Sequence, residues 1–211
     1  MQAPQFDHKP TKILITGSSG SGKTTYFRRY LRGSASRYKH TFVFDQEAEL
    51  WRLMGFTPCY NEGDIEQSLS TGWTFYDYSE MFPGDPVSGF DWFCDYAFQM
   101  SEVIGGHKIF CCDELQNVVT PYDVPYNFKV LMYTGRRRGL DAILIAQSPN
   151  LIHGSIRNMI TEAVTFQHVA ENAIKFHNEI GFSEDQIRAL RPGQYLVRNL
   201  KTGATASGKV F

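Results

Sequence analysis

Residues 17–25 read GSSGSGKTT, in which four residues separate Gly17 from Gly22-Lys23-Thr24, the spacing of a phosphate-binding loop. A triphosphate needs many donors in a small space, and glycines let the backbone curl until successive N–H groups point inward. A helix beginning near Gly22 adds the positive end of its dipole. The expected nucleotide site is therefore Gly17, Ser18, Ser19, Gly20, Ser21, Gly22, Lys23, Thr24 and Thr25. Lys23 brings a point charge to the β- and γ-phosphates, and the Thr24 hydroxyl is a ligand for Mg2+.

Such a loop needs a second acid for the magnesium, and KIFCCDE supplies Asp113 at the end of an apolar run, 90 residues after Lys23. Glu114 follows it directly. A carboxylate there can polarise a water for in-line attack on the γ-phosphate, which tilts the chemistry towards hydrolysis and away from a kinase that must exclude water. Further on, TGRRRGLDAILIAQ places three arginines, Arg136, Arg137 and Arg138, before another apolar run that ends in Gln147. Three adjacent arginines at a helix end are usually a solvated face. An amide at a strand end beside Asp113 could sense the γ-phosphate or hold the attacking water.

These residues need a frame. Lys12–Thr16, Thr41–Asp45, Trp73–Tyr78, His107–Cys112, Ala142–Ala146 and Val164–Val169 read as buried strands. Helical spacing follows the loop up to Gly33 and recurs over 90–104, Pro125–Arg138, a short piece in SIRNMI, Glu171–Ile180 and Ser183–Leu190. The last of these opens on Ser183 and Gln186, a capping box. QYLVRN and ATASGKVF, around Lys201-Thr202-Gly203, read as a C-terminal β-hairpin. Alternating strands and helices make an α/β fold, a mostly parallel sheet with helices on both faces. Convergence of Lys23, Glu114 and Gln147 on one γ-phosphate places Lys12–Thr16 at its centre, flanked by Lys108–Cys112 and Ala142–Ala146.

The 211 residues suit one domain, 1–211, with residues 1–10 as an N-terminal extension. Net charge is −1, so no overall basic field advertises nucleic acid. No apolar run is long enough to span a bilayer, and MQAPQFDHKP lacks the apolar core of a signal peptide. The four cysteines have neither disulfide nor metal spacing, and adjacent Cys111 and Cys112 read as buried small hydrophobes. The loop LQNVVTPYDVPYN is a candidate channel lining or a plain surface loop.

Taken in order, GSSGSGKT, IFCCDE and R-x-x-G leading to an apolar strand ending in Gln resemble the FtsK/HerA superfamily of DNA-pumping ATPases. The chain's small size resembles, within it, the genome-packaging ATPases of tailless icosahedral viruses with an internal membrane. The resemblance runs from about Lys12 to Phe166, and Asp45 closes the second strand as an acid does in that family. It implies a RecA-like fold of the ASCE class. It also implies ATP as substrate with Mg2+, Glu114 activating water, Gln147 as sensor and Arg136 as a finger completing a neighbour's site, with Arg137 and Arg138 blurring which side chain reaches. The implied partners are double-stranded viral DNA, copies of the chain in a ring, and capsid-vertex or viral membrane proteins. The implied location is host cytoplasm and virion. A filamentous-phage-type assembly ATPase and a small-molecule kinase are the alternatives.

Overall fold

Five strands carry almost no polar face, and their burial explains the sheet. In the computed structural model, which describes residues 11–211, β1 (Lys12–Thr16), β2 (His40–Phe44), β3 (Trp73–Tyr76), β4 (Lys108–Cys112) and β5 (Leu140–Ala146) are parallel. Strands buried on both faces read as continuous apolar runs and need helices on each side. β6 (Glu162–Thr165) is the sixth parallel strand, and β7 (Gln194–Asn199) and β8 (Thr205–Lys209) close the sheet as an antiparallel hairpin.

The order is β3-β2-β4-β5-β1-β6-β7-β8. This corrects one expectation: Lys108–Cys112 does not flank Lys12–Thr16. β5 lies between them, pairing Cys112 with Leu144 on one side and Thr16 with Ala146 on the other, and β6 takes the remaining edge of β1. The apolar runs are interchangeable by hydropathy. A crossover back to the same sheet edge decides which is the neighbour.

The helices are α1 (Lys23–Ser34), α2 (Leu50–Met54), α3 (Glu62–Ser68), α4 (Pro86–Val103), α5 (Tyr126–Thr134), α6 (Gly154–Arg157), α7 (Glu171–Glu179) and α8 (Glu184–Arg188). Side chains alternate across each strand, so the sheet has two cores. Phe110 and Cys112 face Phe90, Phe93, Phe128 and Met132 of α4 and α5, whereas Ile109 and Cys111 face Phe27 and Leu31 of α1. The two adjacent cysteines thus fill opposite cores, and burial raises both thiols well above their ordinary value. They are packing groups, as their context in the sequence implied.

Several boundaries differ from expectation. The strand read over Val164–Val169 is Glu162–Thr165, because pairing with β1 ends at Thr16↔Thr165 and the chain then turns to hold the glycine loop. α1 passes Gly33, where an added Cβ would meet nothing within 4 Å, and stops at Ser34. The helix read over Pro125–Arg138 ends at Thr134, and Gly135–Arg138 tighten into a 3-10 turn closed by Gly139 at φ +67°. α2 and α3 were not anticipated. Ser183 does cap α8, accepting from the Gln186 N–H at 3.5 Å. Residues 1–10, expected to be an extension, lie outside the described residues.

Candidate active site

β1, an interior strand, delivers the glycine loop at the carboxyl end of the sheet. Gly22 caps α1 at φ +111°, a conformation that favours glycine, and a Cβ there would also sit 2.8 Å from Val210 Cγ2. At Gly17 a Cβ would come within 2.6 Å of Phe166 Cβ. The loop is held from outside: the Ser18 N–H donates to the Gln167 carbonyl at 2.9 Å, and the Gly193 N–H donates to the Ser21 carbonyl at 2.8 Å. Ser19 and Gly20 remain exposed at its tip, and Thr24 and Thr25 are half-buried on the first turn of α1. Lys23 folds back, its ammonium donating to the Ser18 carbonyl at 3.2 Å. Burial lowers its pKa, while the charges of Glu114 and Asp113 raise it in part.

Behind the loop sits a buried imidazole pair. Thr16 Oγ1 shares a hydrogen bond with His177 Nε2 at 2.8 Å and another with His168 Nε2 at 3.3 Å. Burial pushes His168 down to about 4 and His177 down to about 3. The unfolded chain takes up these protons below its ordinary value of about 6.5, so the stability contributed is present above that pH and lost as pH falls towards the folded values. His177→Gln keeps an amide for Thr16 and cannot titrate. Between pH 7 and pH 5 the wild type should lose about 2 kcal/mol more stability than this variant, or about 4–8 °C in Tm. Thermal melts at the two pH values with parallel losses would show that His177 is not held neutral.

At the end of β4, Asp113 is 8% exposed, and burial together with the Glu114 charge pushes its carboxyl up to about 7. Glu114 adopts φ +48°, ψ +47°, a left-handed conformation that costs a non-glycine residue about 1–3 kcal/mol and concentrates at functional sites. Its carboxylate accepts from the Gln147 side-chain amide at 3.4 Å and from the Gln116 side-chain amide. The pairing of β4 with β5 thus brings Glu114 and Gln147 together, as their positions at strand ends required. Gln116 was missed by sequence reasoning. Its only signal was a place two residues beyond the acid. Beside these side chains opens a cavity of about 460 Å³, lined in part by Glu47, Glu49, Arg52 and Asn117. Asp45 faces inward, accepting from the Glu49 and Trp51 N–H groups at 3.2 and 2.8 Å, and so fixes the turn that carries Glu47 and Glu49.

The three arginines part company. Arg138 is committed within the fold: it donates to the Phe98 carbonyl at 2.6 Å, pairs with Glu102 at 2.8 Å and stacks 3.7 Å from the centroid of the Phe98 ring. Arg136 and Arg137 are exposed. Both lie on the turn that enters β5, whereas Gln147 follows its exit. Seven residues of strand hold these ends roughly 20 Å apart. Arg136 is therefore not brought to its own chain's phosphate loop.

A model of the Poxvirus A32 protein family matches residues 2–49. The genome packaging NTPase B204 from Sulfolobus turreted icosahedral virus 2, solved with ATP-gammaS, superposes with a TM-score of 0.73 at 15% identity, over 95% of this chain and 97% of that one. The fold is that of a RecA-like P-loop ATPase. The plasmid coupling protein TrwB, solved with a non-hydrolysable GTP analogue, superposes at 0.67 and 10% identity, over 96% and 86% of the two chains. EssC from Geobacillus thermodenitrificans does so at 0.62 and 15% identity, over 93% of this chain and 39% of its own. Among curated proteins none matches by sequence.

Within that fold the donors suit a hard divalent cation. Among the described residues no cluster of three or more His, Cys, Asp or Glu side chains could hold a metal by itself. A magnesium ion that travels with a triphosphate takes few protein ligands, and a buried carboxylate plus a hydroxyl on the first turn of α1 meet that need. Asp113 is such a carboxylate, destabilised as an anion by burial and by its neighbour, and a cation beside it would relieve both effects.

Proposed function

We propose that this protein is a viral DNA-packaging ATPase, a single P-loop domain that couples ATP hydrolysis to movement of double-stranded DNA into a capsid. The observation that supports this best is that the loop ending in Lys23, buried Asp113, strained Glu114 and the amide of Gln147 all follow the carboxyl ends of three neighbouring parallel strands. In this reading Gly17 to Thr25 cradle the triphosphate, and Thr24 and Asp113 hold Mg2+. A magnesium ion held there would supply positive charge against the charge that develops in transfer. Glu114 takes a proton from the attacking water, and Gln147 orients that water or senses the γ-phosphate.

Arg136 acts on a neighbour. Its distance from its own loop fits a head-to-tail ring in which each subunit completes the next one's site. A ring also reconciles DNA handling with a net charge of −1, because a few basic side chains repeated around a channel make a strong local field. The ring works in the host cytoplasm and at the packaging vertex of the virion, against capsid or viral membrane proteins. Among the described residues no helix is long and apolar enough to cross a membrane.

Purified protein should turn over ATP and do so faster with double-stranded DNA. Lys23→Ala should remove both rates, since one charge-assisted phosphate contact contributes about 1.5–3 kcal/mol. An ATPase indifferent to DNA at every ionic strength would point away from a DNA motor.

A further inference from the structure

We propose that Gln116 is a positioning residue for hydrolysis, clamping the Glu114 carboxylate to the end of β5. This rests on the reading of Glu114 as the group that activates water. One side-chain amide uses both its ends here. Its Nε2 donates to Glu114 Oε2, and its Oε1 accepts from the Gln147 backbone N–H at 3.3 Å. The Gln147 side chain donates to the same Glu114 oxygen at 3.4 Å. Three residues from two paired strand ends thereby close a ring of hydrogen bonds.

The chemistry asks for an amide at position 116. A carboxylate would keep the acceptor but set a like charge against Glu114, and an apolar side chain would leave the Gln147 N–H unmet and Glu114 with the Gln147 amide alone. The backbone cannot hold Glu114 by itself, because its left-handed conformation is disfavoured for a residue with a Cβ. Gln116, by contrast, rides on a firm support. It sits on the 3-10 turn Leu115–Asn117, whose Leu115 is fully buried and whose Asn117 N–H donates to the Glu114 carbonyl at 2.9 Å. A base with three side-chain torsions samples many positions, whereas attack on phosphorus needs the water in line. Gln116 removes that freedom, and its second bond ties the base to the strand that carries the sensor amide.

The test compares Gln116→Glu and Gln116→Ala in single-turnover ATP hydrolysis, with ATP-gammaS binding and Tm measured beside it. Both variants should lose about 10–100-fold in kcat with the ATP KM, ATP-gammaS affinity and Tm held, the signature of misplaced chemistry. A residue that merely supports the fold would move Tm and KM together. On a Glu114→Gln background, Gln116→Ala should cost nothing more, since the group it positions is gone. Wild-type kcat in Gln116→Glu, or an undiminished loss on the Glu114→Gln background, would overturn the assignment. Should Glu114→Gln itself keep full hydrolysis, the reading of Glu114 fails first. Collapse of Glu114→Gln with an unimpaired Gln116→Glu rejects this inference alone.

Discussion

Arg136→Ala subunits should bind ATP normally and hydrolyse it on the order of 10³–10⁵-fold more slowly, the scale of an absent arginine finger. Charge develops on the transferring phosphoryl group, and Lys23, the one basic residue of the loop, is already committed to the ground-state phosphates. Arg138 is engaged by Phe98 and Glu102 and is not free to leave. Arg136 is exposed at the far end of β5, away from its own loop, and the proposed ring offers it another chain's triphosphate. The decisive measurement mixes Arg136→Ala subunits, which have intact loops, with Lys23→Ala subunits, which have intact fingers. Some interfaces of a mixed ring then pair a good loop with a good finger, and part of the activity returns. Mixed rings that form yet stay silent at every ratio would assign Arg136 to DNA or to structure. The same mixing with Arg137→Ala decides between the two exposed arginines.

Glu114→Gln should separate binding from turnover. The amide keeps size and shape, Asp113 and Thr24 remain for the magnesium, and ATP affinity should stay near that of the wild type. Hydrolysis should fall by about 10²–10⁴, the usual contribution of a positioned general base. Trapped, ATP-loaded protein seen by equilibrium binding together with a lost phosphate-release rate would meet the expectation. Full hydrolysis by this variant would remove Glu114 from the mechanism and leave the water to be oriented by Gln147 or by substrate.

The residues that declare themselves in the sequence do so because their chemistry is local. Gly17 to Thr24 fix a loop shape and a charge within eight residues, and no distant partner is needed to see it. Asp113 and Gln147 were visible as polar groups ending apolar runs. What stayed hidden depends on contacts far apart in the chain. The order of β4, β5 and β1 is invisible because each is a buried, mainly apolar run of much the same character. α2 is a local exception: its five residues are too few to show a helical period, and the turn into it is fixed by Asp45 accepting from the Glu49 and Trp51 N–H groups. Arg138 looked identical to its neighbours until Phe98 and Glu102 took it up. Gln116 carried no motif, and its meaning appears only once the ends of β4 and β5 lie side by side.

The clamp of Gln167, Gly193 and Val210 on the glycine loop bears on how the protein is made. The loop is synthesised before its strand partners β5 and β6, which follow more than a hundred residues later, and Gly193 and Val210 come later still. Until then a nascent chain holds a phosphate-binding sequence without the walls that shape it. Nucleotide affinity should therefore arise late and abruptly during synthesis, after residue 210 has emerged. A truncated chain ending before β7 would carry every catalytic side chain and still fail to grip ATP.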